Sequence, residues 1–286
     1  MTKIWELDFY SRPVLDDNQK KLWEMLVCES PTDAQSTAEQ LFRYAEFIPN
    51  TEVNSVRLRE ALEKAIAQAE TPPDKIRFFR RQMNNMITKA CEDAGIPAYP
   101  SRRTLVLSQW IDQRLQDYYP TLPNYQAGNN PSVSLPPPKP QPLPDALMGE
   151  RWAFVSLEAS AFSEMADWEI GFSESFPPTM FGLQPDALVP GLIIYSSRAL
   201  PLAAWMSGLE LAALRFNAMP PQLVLETGAN DAWILANLPT PDLQKEGQAL
   251  EAAKQGSNQI HFIAVQSRPD DQSFAGFWLM QELNLA

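Results

Sequence analysis

KIRFFRRQMNNMITKACEDAGIPAYPSRR, residues 75–103, decides how the chain is read. It opens with a strand over Lys75–Arg80 whose side chains alternate. Ile76, Phe78 and Arg80 point one way, and Arg77, Phe79 and Arg81 the other. Gln82–Ala94 then sets Met83, Met86, Ile87, Ala90, Cys91 and Ala94 at helical spacing, with Gly95 and Pro97 as the stop. The next apolar run, Thr104–Leu107, reads as a buried strand, and Ser108–Tyr119 as a helix with Trp110, Ile111, Arg114, Leu115 and Tyr118 in register. Upstream lie three strand-like segments, Lys3–Tyr10, Lys21–Glu29 and Leu41–Ile48. A helix follows over Asn54–Glu70, where Glu60 precedes Lys64 by four residues in the supporting orientation. The order is βββαβαβα, that of ribonuclease H-like domains.

The same stretch is the cationic part of an anionic chain. From Lys75 to Arg114 there are eight Lys/Arg against three acids, while the 286-residue chain has a formal net charge of −12. Bulk attraction for polyanions is excluded by that total; a defined polyanion site is not. Lys75, Arg77, Arg80, Arg81, Arg102 and Arg103 are the candidate phosphate contacts, and Phe79 the candidate ring for base stacking. The competing reading puts both phenylalanines in the core and lets the arginines snorkel or cap. If the strands at 76 and 104 run parallel, Arg81 and the Arg102–Arg103 pair stand at opposite sheet ends, about 15 Å apart. That span suits a few nucleotides of extended single strand.

Residues 126–149 hold seven prolines and read as an extended spacer. This gives an N-terminal α/β domain at 1–125, a Pro-rich linker at 126–149, and an acidic C-terminal α/β domain at 150–286. Residues 1–150 are net −3 and residues 151–286 net −9. In the second half strands are expected at Trp152–Glu158, Trp168–Ser173, Gly191–Tyr195, Gln222–Glu226, Ala232–Ala236, Gln259–Gln266 and Phe277–Met280. Helices are expected at Leu200–Phe216 and at Pro241–Lys254 with Thr240 as N-cap. Both sheets are expected to be mixed.

Catalytic signals are few. There is no phosphate-cradling glycine motif and no GxSxG elbow, and the single histidine, His261, sits on an apolar strand as a core residue would. A metal-dependent nuclease would have to recruit Asp8, Glu29 and Glu46 from the first three strands. Glu6 and Asp8, alternating with Trp5, Leu7 and Phe9, read instead as an ordinary solvent-facing side. Cys28 and Cys91 lack zinc-ligand spacing and read as reduced, buried thiols; no metal or cofactor is expected. No apolar stretch approaches the roughly 20 residues that cross a bilayer. A soluble protein of a cytosolic-type compartment is therefore expected.

WELDFYSRP (5–13), IRFFRRQMNNMITKAC (76–91) and PSRR followed by LxxW (100–110) resemble the Tab2/Atab2 family, RNA-binding translation factors of oxygenic phototrophs. The resemblance implies a non-enzymatic partner of A/U-rich 5′ untranslated RNA of photosystem messages, notably that of the photosystem I subunit PsaB. It also implies a part in biogenesis of photosystems I and II, with translation machinery or assembly proteins as further partners. Algal and plant members act in the chloroplast; a chain starting at WELDFYSRP resembles a cyanobacterial, cytoplasmic member. The family's C-terminal Trp-Leu-Leu is matched only by Trp278-Leu279-Met280, which reads as a last strand packed into its domain. The rival readings are a nuclease and a protein-only assembly factor.

Overall fold

A computed structural model describes residues 2–128 and 139–283; residues 129–138 of the proline-rich stretch lie outside the described residues. The described chain divides into two compact units, residues 2–30 with 40–128, and residues 31–39 with 139–283. Both are α/β with mixed sheets.

The first unit holds β1 (Ile4–Leu15), β2 (Lys21–Glu29), β3 (Arg43–Ile48), α1 (Ser55–Gln68), β4 (Lys75–Phe78), α2 (Asn84–Asp93), β5 (Ala98–Pro100) and α3 (Leu105–Gln113). A π-helical turn, Arg114–Tyr118, continues α3. The sheet order is β3-β2-β1-β4-β5, antiparallel through the first three strands and parallel from β1 to β5. The expected βββαβαβα order is present. Asn54 caps α1 by accepting the Arg57 N–H at 2.9 Å, and Gly95 takes the left-handed conformation (φ +76°) that ends α2.

One strand moved. Thr104–Leu107 is not a strand: Thr104 precedes the first turn of α3, and the fifth strand is Ala98–Pro100. A short apolar run such as LVL fits a buried strand or a buried helix turn equally. What decides is a carboxylate from β1. Glu6 Oε2 accepts the Leu107 N–H at 2.7 Å and so satisfies a donor of the α3 N-terminus.

That bond also explains the two faces of β1. Trp5, Leu7 and Phe9 share one face with Val27, Met25, Ile76 and Phe78 and form the core beneath α1 and α2. Fully burying such side chains contributes about 1.5–3 kcal/mol each. Glu6 and Asp8 lie on the other face, but it is not the solvent side that alternation suggests. With α3 against β1 and β2, Glu6, Asp8 and Glu24 are fully buried.

The second unit contains β6 (Gln141–Pro142), β7 (Arg151–Glu158), β8 (Ile170–Glu174), β9 (Leu188–Tyr195), α4 (Ala199–Ser207), β10 (Leu211–Ala218), β11 (Pro221–Thr227), β12 (Asp231–Asn237), α5 (Pro241–Gly256), β13 (Ile260–Gln266) and β14 (Phe274–Gln281). Its sheets are ordered β10-β11-β12-β6 and β7-β9-β13-β14-β8. Residues 141–142 pair with Trp233 and Ile234 of β12, and Leu143 joins the core. On this side the proline-rich stretch is thus an edge strand with an inserted leucine, not a spacer. Proline suits such an edge because it has no N–H to donate to a ladder.

Leu200–Phe216 divides as well: α4 stops at Gly208, and Leu211–Ala218 is a strand. Strand β10 is at the edge of its sheet, and side chains bind its outward backbone. His261 Nε2 accepts the Leu214 N–H at 2.8 Å, Lys254 Nζ donates to the Leu214 carbonyl at 2.8 Å, and Glu251 accepts the Phe216 N–H at 2.8 Å. Because Nε2 accepts, Nδ1 carries the proton and donates to the Gln259 carbonyl at 2.8 Å. Burial and the Lys254 charge push the imidazole down to about 3. The fully buried Lys254 ammonium is held by Glu282 at 2.6 Å and by Glu251 at 3.1 Å. Trp278, Leu279 and Met280 are buried in β14 and leave no exposed apolar anchor.

Candidate nucleic-acid interface

Strand β4 ends at Phe78 and β5 at Pro100, and these two residues are partners in a parallel ladder. Arg80–Arg81 and Arg102–Arg103 therefore leave the same end of the sheet, on strands about 4.8 Å apart. The longer separation inferred from a strand at Thr104–Leu107 falls with that strand. The doublets are together, at the carboxyl end of two parallel strands.

Each doublet divides between inside and outside. Arg80 and Arg103 are 8% and 4% exposed, and Arg77 only 1%, whereas Arg81, Arg102, Lys75 and Phe79 are half-buried. The alternation of IRFFRR predicts correctly that Arg77 lies opposite Ile76 and Phe78. The face it occupies, however, is the one where α3 packs against β1 and β2, so both sides of the strand are interior.

Inside, the guanidinium groups meet carboxylates. Asp8 Oδ1 accepts from Arg80 Nε at 2.6 Å, and Oδ2 from Arg12 Nη2 at 2.7 Å. Burial pushes the Asp8 carboxyl up, but Arg80 and Arg12 outweigh it and hold it below the ordinary aspartate value. The Arg80 guanidinium carbon also lies 4.0 Å from the Tyr10 ring centroid and 4.7 Å from that of Phe79. Glu24 accepts from Arg12 Nε at 3.1 Å, from the Tyr119 hydroxyl at 2.5 Å and from Arg114. Glu6 accepts from the Leu107 amide and, at 2.8 Å, from the Ser30 hydroxyl. Burial pushes its carboxyl up to about 7 against the pull of that amide, that hydroxyl and the charges of Arg77 and Arg103.

These contacts correct the sequence reading at three positions. Arg77, Arg80 and Arg103 are not surface phosphate contacts; they offset carboxylates that burial would otherwise strand. Lys75, Phe79, Arg81 and Arg102 keep partial exposure. Tyr99 joins them unannounced. It is 46% exposed on β5, pairs with Arg77 in the ladder, and has Lys75 Nζ 5.8 Å from its ring centroid. Its signal in the sequence is hidden because Ala98–Tyr99, between Pro97 and Pro100, carries no strand pattern.

The nuclease constellation is not assembled. Asp8 pairs with Leu26 on the α3 side of the sheet, while Glu29 pairs with Trp5 and Glu46 with Met25 on the opposite face. Glu46 is occupied by Arg57 at 2.5 Å, Lys64 at 2.8 Å and Tyr44 at 2.6 Å. Burial opposes these partners, yet they draw its carboxyl down to about 2. Among the described residues no group of three His, Cys, Asp or Glu is arranged to hold a metal ion. Cys28 and Cys91 are free and buried, and burial first of all pushes both thiols up. No helix among the described residues is long and apolar enough to cross a membrane.

Two family models match the chain: "RNA-binding protein Tab2/Atab2 N terminal" over residues 4–114, and "RNA-binding protein Tab2/Atab2, C-terminal domain" over residues 130–281. Similar curated proteins include "Protein TAB2 homolog, chloroplastic" of Arabidopsis thaliana, 40% identical over 98% of this chain and 75% of that protein. The protein of the same name from Zea mays is 39% identical over 98% of this chain and 71% of its own length.

Proposed function

The chain belongs to the Tab2/Atab2 family of RNA-binding proteins, and from that premise we propose that it binds A/U-rich single-stranded leaders of photosystem messages and supports their translation. Membership over nearly the whole chain is the observation that carries this reading. The binding surface is the outer part of the 75–103 block. Arg81 and Arg102 at the carboxyl end of β4 and β5, together with Lys75, meet phosphates, and Phe79 and Tyr99 offer rings to bases. The protein works in whichever compartment holds those messages, a cyanobacterial cytoplasm or a plastid stroma. Catalysis has no part in this reading.

A salt titration with a labelled A/U-rich photosystem leader and a scrambled RNA of equal composition tests it. The leader binds more tightly than the scrambled control. Replacing Lys75, Arg81 and Arg102 by alanine lowers the log–log salt slope by about 0.7 for each phosphate that no longer meets a cation. Equal affinity for the two RNAs removes the sequence preference. Absence of RNA binding at low salt, with capture of ribosomal or photosystem proteins instead, replaces the reading with that of a protein-only assembly factor.

A further inference from the structure

Away from the basic block, four side chains of the first unit form a row in which cations and rings alternate. The Arg43 guanidinium carbon is 5.5 Å from the Trp110 ring centroid. That of Arg114 is 5.5 Å from the same centroid and 4.1 Å from the Tyr118 centroid. Trp110, Arg114 and Tyr118 recur every fourth residue along α3 and its π-helical continuation, so they rise along one flank of a single element. Arg43 comes from β3, the edge strand of the sheet, on the face where its partner is Cys28.

The middle of the row is fixed and its ends are open. Trp110 is 9% exposed, and Arg114 is anchored by Glu24 and by the Tyr119 hydroxyl at 3.3 Å. Arg43 is exposed and, among the described residues, forms no ion pair. Tyr118 is 39% exposed. Phe47, half-buried, lies on the same face of β3 as Arg43. The row thus presents a guanidinium head at one end and a phenol ring, already stacked from behind by Arg114, at the other.

Flat rings and guanidinium planes are what unstacked bases pack on. A duplex keeps its base faces covered and gains nothing from them. Asp112 and Asp117 belong to the same helical run, so bulk positive charge is not what would draw a polyanion here. Stacking has to supply the attraction, which selects single strands. We propose that the Arg43–Trp110–Arg114–Tyr118 row is a second subsite for single-stranded RNA, with one base stacked on Tyr118 and one phosphate held by Arg43. The proposal rests on the RNA-binding reading given above and adds to it a site outside residues 75–103.

The experiment uses the full chain, a labelled A/U-rich oligoribonucleotide and the same sequence as a duplex. Tyr118→Leu weakens single-strand binding by about 5- to 150-fold, the stacking contribution of one base, and leaves the salt slope unchanged. Tyr118→Phe retains binding because the ring remains. Arg43→Gln lowers the slope by about 0.7, the value for one single-strand phosphate. Duplex binding is unmoved by Tyr118→Leu. If the wild-type chain binds the oligonucleotide and Tyr118→Leu and Arg43→Gln bind it equally well, the subsite is refuted while the function stands. Equal losses for Tyr118→Leu and Tyr118→Phe, or for single strand and duplex, also refute it. If the wild type binds neither form, it is the functional reading that fails first.

Discussion

Replacing Asp8 by asparagine tests the interior that the arginine block builds. Asp8 has no exposed surface, and its carboxylate is shared between Arg80 and Arg12, themselves 8% and 2% exposed. Asparagine keeps the shape and one acceptor but removes the charge that two buried guanidinium groups face. Breaking a buried pair by removing one partner costs about 3–5 kcal/mol. The Arg80 contacts with Tyr10 and Phe79 survive the change, and Arg12 keeps Glu24. The lower end, about 3 kcal/mol, is therefore the expected loss. At about 4 °C per kcal/mol for a unit of this size, the unfolding midpoint falls by about 12 °C. The control is Lys64→Ala, which removes a cation from Glu46 where the lysine side chain is 53% exposed. An exposed pair of this kind contributes under about 1 kcal/mol. Thermal unfolding of both variants, followed by tryptophan fluorescence, reads the difference. An Asp8→Asn protein as stable as wild type, or one no weaker than Lys64→Ala, would refute the account of Asp8 as a structural counter-charge. A stabilised Asp8→Asn that also abolished a Mg²⁺-dependent cleavage would return the carboxylate to catalysis, since removing a strained catalytic charge commonly stabilises.

Glu6 gives a pH dependence. With its folded carboxyl raised to about 7, its contribution is complete below its unfolded value and is lost as pH rises through about 7, so the first unit is more stable at pH 5.5 than at pH 8.5. Urea midpoints at the two pH values show the gap, and Glu6→Gln closes it. His261 stays neutral far into acid, held down to about 3 by burial and Lys254. As the sole histidine its Hε1 proton gives one NMR signal to follow, and a midpoint near the ordinary value of about 6.5 contradicts the hydrogen bond to Leu214. Its stabilising contribution is full above about 6.5 and falls away on acidification toward 3. Gly191→Ala places a Cβ 2.5 Å from ring atoms of Phe262, a ring already stacked 5.0 Å from Phe277, and overpacking there costs about 1–3 kcal/mol; an unchanged unfolding midpoint rejects it.

The first unit was legible where periodicity and burial agree. The aromatic side of β1, the two faces of β4, α1, and α2 with its Gly95 stop all follow from spacing. Illegible was the fact that both sides of the sheet are covered. Glu6 and Asp8 alternate with Trp5, Leu7 and Phe9 as solvent-facing acids would, and nothing local reveals a helix from residue 105 resting on them. Their partners lie 101 residues away at Leu107 and 72 away at Arg80. The same omission made Arg77, Arg80 and Arg103 look like a surface. In the second unit Leu200–Phe216 kept a helical pattern through Gly208, but Leu211–Ala218 pairs as an antiparallel ladder with β11, and His261, Lys254 and Glu251 bind its outward backbone. Tyr99 and Arg43 escaped notice because exposure, not residue type, sets them apart.

An edge strand whose outward amides and carbonyls are unclaimed is a template on which a second molecule can add a strand of its own. Along β10 that template is already filled from within, by an imidazole, an ammonium and a carboxylate reaching over from β13 and α5. The three side chains thus act as a guard against self-association. Loss of Lys254 would strand Glu282 beside an unclaimed Leu214 carbonyl, so concentration-dependent polymerisation would come together with a lower melting point.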